Sequence, residues 1–177
     1  MTEVNPAAAI SIRPVSADDT IHIRHTILWP NVPKDSNIIR LAEDDNGLHF
    51  GAFLSDADSE PIAVISLFHE DLPLDSGEGA SHKGKTWRVR KFACLSEHQG
   101  KGVGSKLLAF AIQHARDNLG AECIWCDARL TAAGWYTRRG LTTFGDLFLK
   151  NGAEYVRMKI VVQHTTLAAE IDLYNEI

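Results

Sequence analysis

Cysteine is scarce in this chain, with only Cys94, Cys123 and Cys126 among 177 residues. So small and odd a number does not suggest a secreted disulfide framework, and reduced thiols are expected. Cys123 and Cys126 form a C-x-x-C, but Ala121 to Asp127 reads as a buried strand, where positions three apart point to opposite faces. A zinc site would need two further ligands nearby, so no metal is expected. Basic residues are also in short supply. Lys and Arg total 18 against 23 Asp and Glu, giving a net charge of -5 and a pI near 5.9. That balance offers no general attraction to nucleic acid or to an anionic membrane. No apolar run approaches the ~20 residues that span a bilayer, and Met1 to Ala9 lacks a charged segment followed by a long apolar one. The chain is therefore expected to be soluble and cytoplasmic, without nucleic-acid or membrane partners, and to hold any anionic ligand by local features.

Internal repeats and low-complexity linkers are absent too. With 45% hydrophobic residues, the chain can bury one sizeable core, and a single domain over residues 1–177 is expected. Its core would run from about 10 to 160, with a C-terminal extension, 164–177, that reads as a short amphipathic helix. The one composition break is the polar, glycine-containing stretch from Asp71 to Lys85, read as a long loop that either covers a site or is mobile. Ile10 to Pro14 alternates as a strand, and Ser16-Ala17-Asp18-Asp19 opens a helix that should end before Pro30. Leu48 to Leu54 and Ile62 to Phe68, separated by a polar turn, read as a hairpin. Further strands are expected over Thr86 to Leu95, Ala121 to Asp127, Leu141 to Leu149 and Glu154 to Val162, with helices over Gly102 to Leu119 and Thr131 to Arg139. This order predicts an α/β fold.

The sharpest local feature is Gln99-Gly100-Lys101-Gly102-Val103-Gly104-Ser105, set between a strand and a long amphipathic helix. Glycines there let backbone N–H groups approach an anion, and the first turn of a helix carries partial positive charge, so phosphate is the expected ligand. The spacing is neither that of a Walker loop nor that of the three-glycine dinucleotide fingerprint. What it resembles is the Gln/Arg-x-x-Gly-x-Gly/Ala motif of the GNAT superfamily of N-acetyltransferases. Phe92-Ala93-Cys94 resembles that family's central strand, and Trp135-Tyr136-Thr137-Arg138-Arg139-Gly140-Leu141, with Ala132 four before the tyrosine, resembles its F/L-Y-x-x-x-G-F segment. Ile23 to Pro30, His49 to Phe53 and Trp87 to Ala93 look like a poorly characterised microbial branch.

The resemblance implies a mixed, mostly antiparallel central sheet with helices on both faces. It implies acetyl-CoA as the acyl donor, no metal, and direct transfer to an amine through a ternary complex. Cofactor contacts would come from Phe92, Ala93, Cys94, Gln99, Gly100, Lys101, Gly102, Val103, Gly104, Ser105 and Arg129. Tyr136 matches the tyrosine that protonates the departing thiolate. Many relatives carry a proton-accepting glutamate where this chain has Arg88, and an asparagine where it has Arg129. Arg88 cannot serve as that base, because guanidinium stays protonated. Either a water relay or another residue must then take the proton, and the candidates are His49, Glu70 and His98, with His49 preferred for its near-neutral pKa.

Arg88 and Arg90, two apart on a strand, should share a face, where they would either grip an acidic group on the acceptor or pair with neighbouring carboxylates. The four tryptophans are expected in the core, and Arg138 and Arg139 either meet the cofactor's 3′-phosphate or favour their helix's dipole. A small amine-bearing metabolite is the expected partner. A catalytically silent acyl-CoA sensor and a protein or peptide N-acetyltransferase are the alternatives, and a homodimer is left open.

Overall fold

The computed structural model describes residues 10–73 and 82–162. The expected C-terminal helix and the middle of the loop from Asp71 to Lys85 lie outside the described residues. Seven strands form one sheet: β1 (Ser11–Val15), β2 (Leu48–Phe53), β3 (Ala63–His69), β4 (Thr86–Cys94), β5 (Cys123–Arg129), β6 (Thr142–Lys150) and β7 (Ala153–Val161). Their order is β1-β2-β3-β4-β5-β7-β6, with every pair antiparallel except β4 and β5. This is the mixed, mostly antiparallel sheet expected.

Helices cover both faces. α2 (Val103–Leu119) begins after Gly102 and ends at Gly120, whose φ values of +83° and +65° favour glycine. Its buried stripe of Val103, Leu107, Leu108, Ala111 and Ala115 packs on Phe50, Ile65, Leu67, Val89, Ile124 and Met158. α3 (Ala133–Thr137) sets Trp135 and Tyr136 against the same core. On the opposite face lies an N-terminal helical run: a 3₁₀ turn (Asp18–Thr20), α1 (Ile21–Ile23) and a π-helical turn (Arg24–Leu28). It ends at Trp29, ahead of Pro30 as expected, and Ile23 packs on Val64 and Ala93. Cys123 and Cys126 sit on opposite faces of β5, one with Trp125 and Phe144, the other in the core beneath α2. Burial pushes their thiols up to about 11 and about 12, as befits packing residues.

Two irregularities shape the middle of the sheet. β4 and β5 pair only through Thr86↔Cys123, Trp87↔Ile124 and Arg88↔Trp125, although both strands continue, to Cys94 and Arg129. Beyond Arg88 a gap opens between them. On its other side β4 carries a bulge: Ser66 pairs with Arg90 but Val64 with Ala93, so β4 holds one extra residue, and Lys91 has φ +53°.

The N-terminal helical run is fastened to the sheet by a buried polar network. Arg24, fully buried, donates to Asp44 Oδ2 at 2.6 Å, to Ser66 Oγ at 2.8 Å and to the Ile39 carbonyl at 3.0 Å. Ser66 Oγ meets His49 Nδ1 at 2.7 Å, and His49 Nε2 meets the Asp44 carbonyl at 2.9 Å. Burial favours the neutral ring, and its proton then sits on Nε2, since the carbonyl can only accept and the Ser66 hydroxyl donates to Nδ1. Burial alone would raise the Asp44 pKa, but hydrogen bonds from Arg24 and the Leu41 N–H hold it below the ordinary value. Leaving either charge buried without the other would cost about 3–5 kcal/mol.

Burial also lowers the pKa of His49, so the unfolded chain takes up its proton at a higher pH than the folded one. The resulting stability is complete above the unfolded pKa of about 6.5 and declines as the pH falls below it. Thermal unfolding followed between about pH 7.5 and 5 should show the midpoint falling, and His49→Gln should flatten that decline. An equally steep decline in the variant would place the titrating group elsewhere.

Candidate active site

The gap between β4 and β5 opens toward the glycine loop. After β4, a 3₁₀ turn (Ser96–His98) carries the chain to Gln99, whose side-chain Nε2 donates to the Cys94 carbonyl at 2.8 Å and so fastens the loop to the strand end. Gly100 and Gly102 follow with φ +72° and +83°, and a Cβ at either would meet nothing within 4 Å. No packing neighbour therefore demands these glycines. Backbone conformation does, and open space borders it. The Lys106 N–H bonds the Gly102 carbonyl at 3.0 Å, so the N–H groups of Val103, Gly104 and Ser105 precede the helical ladder and can meet an anion.

Side chains behind the loop hold it rigid. A Cβ on Gly104 would stand 3.4 Å from Phe92 Cζ and 3.7 Å from Trp135, so the helix start is pressed against this aromatic pair, whose rings are 5.8 Å apart. Arg139 lies 3.6 Å over the Trp135 ring, donates to its carbonyl at 2.7 Å and to Ser105 Oγ at 3.0 Å. The Ser105 hydroxyl oxygen thereby accepts from Arg139, and its O–H and backbone N–H remain as donors for a ligand. Tyr136 stands beside Cys126, the first β5 residue past the last β4–β5 pair, with its hydroxyl toward that thiol. Burial first, and then Cys126, push the Tyr136 pKa far above its ordinary value, so the hydroxyl keeps its proton at neutral pH.

A strand that parts from its parallel neighbour before a glycine turn and an open helix N-terminus agrees with the family comparison. The profile of the Acetyltransferase (GNAT) family matches residues 17–141. The chain belongs to that family. An uncharacterised N-acetyltransferase, YitI, of Bacillus subtilis (strain 168) is 27% identical over 139 residues, covering 78% of this chain and 87% of the relative. Among solved structures, FeeM, an N-acyl amino acid synthase from uncultured soil microbes, superposes with a TM-score of 0.67 at 18% identity, covering 92% of this chain and 97% of its own. An IAA acetyltransferase from Bacillus cereus ATCC 14579 gives 0.61 at 18% identity, covering 87% and 100%.

Within this GNAT cleft the expected residues fall into three groups. Phe92 and Cys94 pack against the α2 side of the sheet and Ala93 against the N-terminal helical run, so the end of β4 forms one wall. Gln99 through Ser105 form the loop described, with Lys101 exposed and the Val103 side chain in the core. Arg129 ends β5 on the surface, 3.5 Å from the Tyr155 hydroxyl.

Arg88 and Arg90 do share a face, flanking Phe68, but only one is available to a ligand. Arg88 donates to Glu70 Oε1 at 2.6 Å and to Asp127 Oδ2 at 2.5 Å, and its guanidinium lies 4.4 Å over the Trp125 ring. Its charge is spent on carboxylates from both neighbouring strands, which removes it as an anchor for the acceptor. His49 departs from expectation as well. Both its ring nitrogens are engaged, and it borders a cavity of about 490 Å³ with Asp18, Arg40, Asp45 and His114, near the other end of α2. No lone pair is left there to receive an amine's proton. Glu70 is held by Arg88, and His98 lies in the turn before the loop.

Two residues went unnoticed in the sequence. Asp127 follows Cys126 on β5, and both its cationic partners, Arg88 and Lys150 at 3.3 Å, meet Oδ2, so Oδ1 has no partner among the described residues. Lys91, in the bulge, donates to the Ile38 carbonyl at 2.7 Å and lies 3.9 Å over the Trp29 ring, and burial lowers its pKa to about 8. An acid two residues past the end of a parallel pairing is a recognisable signal only once that register is known.

The loop can be tested directly. Gly102→Glu places bulk and negative charge in the open space where N–H groups converge, at a residue whose φ already disfavours any side chain by roughly 1–2 kcal/mol. Calorimetry should show acetyl-CoA binding lost while the folded state survives by circular dichroism; unchanged affinity would remove the loop from the cofactor site.

Proposed function

We propose that the chain moves an acetyl group from acetyl-CoA to the amine of a small molecule, directly, within a ternary complex. The observation that carries this reading is the parting of β4 and β5 after Arg88 and Trp125, in front of the open N-terminus of α2. Acetyl-CoA supplies a thioester, whose carbonyl carbon the amine attacks as the carbon–sulfur bond breaks. The N–H groups of Gly100 to Ser105 would hold its pyrophosphate, and backbone groups on the unpaired edge of β4 would hold its pantetheine arm and polarise the carbonyl. Burial raises the pKa of Cys94, so this thiol stays protonated and is a poor nucleophile for an acyl-enzyme route. That supports direct attack.

Two protons must move. Tyr136, held protonated at the mouth of the gap, would give its proton to the thiolate as it forms; the thiolate, being desolvated there, is a stronger base than in water. The incoming amine must lose a proton, and both cations on Asp127 meet its Oδ2, which leaves Oδ1 to receive it. In this reading Asp127 on β5 does what the glutamate does at the position of Arg88 in many relatives. The similarity to an N-acyl amino acid synthase supports an amine acceptor of small size.

Tyr136→Phe removes the hydroxyl and keeps the ring. Its turnover should fall about tenfold to ten-thousandfold with acetyl-CoA affinity retained, and wild-type turnover would leave the tyrosine as a packing residue. Asp127→Asn should lower turnover at neutral pH by about 10²–10⁴ and return part of it as the pH rises toward that of the free amine. Equal turnover across that pH range in variant and wild type would place the base elsewhere.

A further inference from the structure

Arg88 and Arg90 project from the same face of β4, yet their surroundings differ. Arg88 is paired on both sides, with Glu70 and Asp127. Arg90 lies partly buried opposite Ser66, its guanidinium 5.3 Å from the Phe68 ring centroid, with no carboxylate or carbonyl partner among the described residues. Neighbouring polar groups are already committed. Ser66 Oγ serves Arg24 and His49, Asp44 serves Arg24, and the Lys91 ammonium serves Ile38. A guanidinium offers five N–H donors in a planar fork, and no nitrogen of Arg90 is among the buried atoms left without a partner, so its donors are open to solvent or to a ligand.

The position of that fork matters. Arg90 stands two residues beyond the last β4–β5 pair, beside the gap, on the face that carries Asp127. Two residues along a strand span about 7 Å, which separates Arg90 from Arg88, while Asp127, two residues past Trp125 on β5, stands level with Arg90 across the gap. The β4 edge of the gap thus presents an unmatched cation and the β5 edge a carboxylate with an open oxygen. A simple amine would engage only the second. A polycationic amine would meet Arg90 and Lys91 as like charges.

Building on the acetyl-transfer reading above, we propose that Arg90 binds the carboxylate of the acceptor, and that the acceptor is an amino acid whose amine lies toward Asp127. Guanidinium and carboxylate match through two parallel N–H···O bonds, a geometry that lysine cannot reproduce. The anchor would orient the amine as well as attract the molecule.

The test compares matched acceptors, namely free amino acids, their amides and their decarboxylated amines, in wild type, Arg90→Ala and Arg90→Lys. In the wild type, kcat/KM for amino acids should exceed that for the amides by about tenfold to a hundredfold, the usual worth of a hydrogen-bonded charge. Arg90→Ala should bring that ratio close to one, through a raised KM for the amino acids, and Arg90→Lys should restore part of it. Calorimetry of the same amino acids into CoA-loaded protein should show the matching loss of affinity in Arg90→Ala. A wild type that prefers amides or polycationic amines, or a ratio unchanged in Arg90→Ala, overturns the assignment while leaving the transferase reading intact. Binding of acetyl-CoA without acetylation of any of these amines overturns both.

Discussion

Everything functional in this fold depends on β4 and β5 failing to stay paired. Three residue pairs hold them together before they part. Continued pairing would satisfy the backbone of both strands from within the sheet and leave no room between them. Separation leaves hydrogen-bonding edges that need another partner, and an extended ligand arm with amide groups suits such edges. The sheet bears this cost because each strand is secured on its outer side, β4 by β3 and β5 by seven pairs with β7. The bulge at Lys91 adds twist to β4 just where it leaves its partner.

The two faces of the sheet then divide the work. On the α2 side the packing is apolar and tight, from Val103 and Leu107 to Met158, and the Phe92–Trp135 pair pressed on Gly104 carries that rigidity to the helix start. On the other face apolar patches alternate with buried charge, and most of that charge is matched in closed groups: Arg24 with Asp44, Arg88 with Glu70 and Asp127. Ion pairs so placed add little net stability, because desolvation offsets much of their attraction. Their physical effect is on orientation, since each Arg fixes the relative position of elements distant in sequence. Arg24 ties the N-terminal helical run to residues 44 and 66.

Much of this was legible in the sequence, and the exceptions share one cause. Helix α2 declared itself through its apolar period and its flanking Gly102 and Gly120, and each strand fell within about two residues of its expected bounds, because periodicity and turn residues are local signals. The glycine loop and Tyr136 were visible as spacing within one segment. Asp127, the bulge at Lys91 and the role of Arg139 were not, for each depends on which strand or helix comes to lie beside it. His49 shows the same limit from the other side: its type suggested a base, but Ser66 and Asp44 occupy its ring, and both are distant in the chain.

Arg88 gives that limit its chemical meaning. Where many family members carry a glutamate on β4, this chain carries the opposite charge, and taken alone the exchange suggests a site that has lost its base. Register changes the conclusion. Arg88 is opposite Phe68 on β3 and Trp125 on β5, and the carboxylates of Glu70 and Asp127 close on it from either side. With Lys150 also on Asp127, two cations face two acids and the group is balanced, so what the neighbouring segments supply is a carboxylate and not a net negative charge. The Arg88 contact falls on a single oxygen of Asp127, and it fixes the carboxylate plane while the second oxygen stays open. On the proposed mechanism the arginine is therefore the group that positions Asp127, and the cation at position 88 and the acid at position 127 act as one unit.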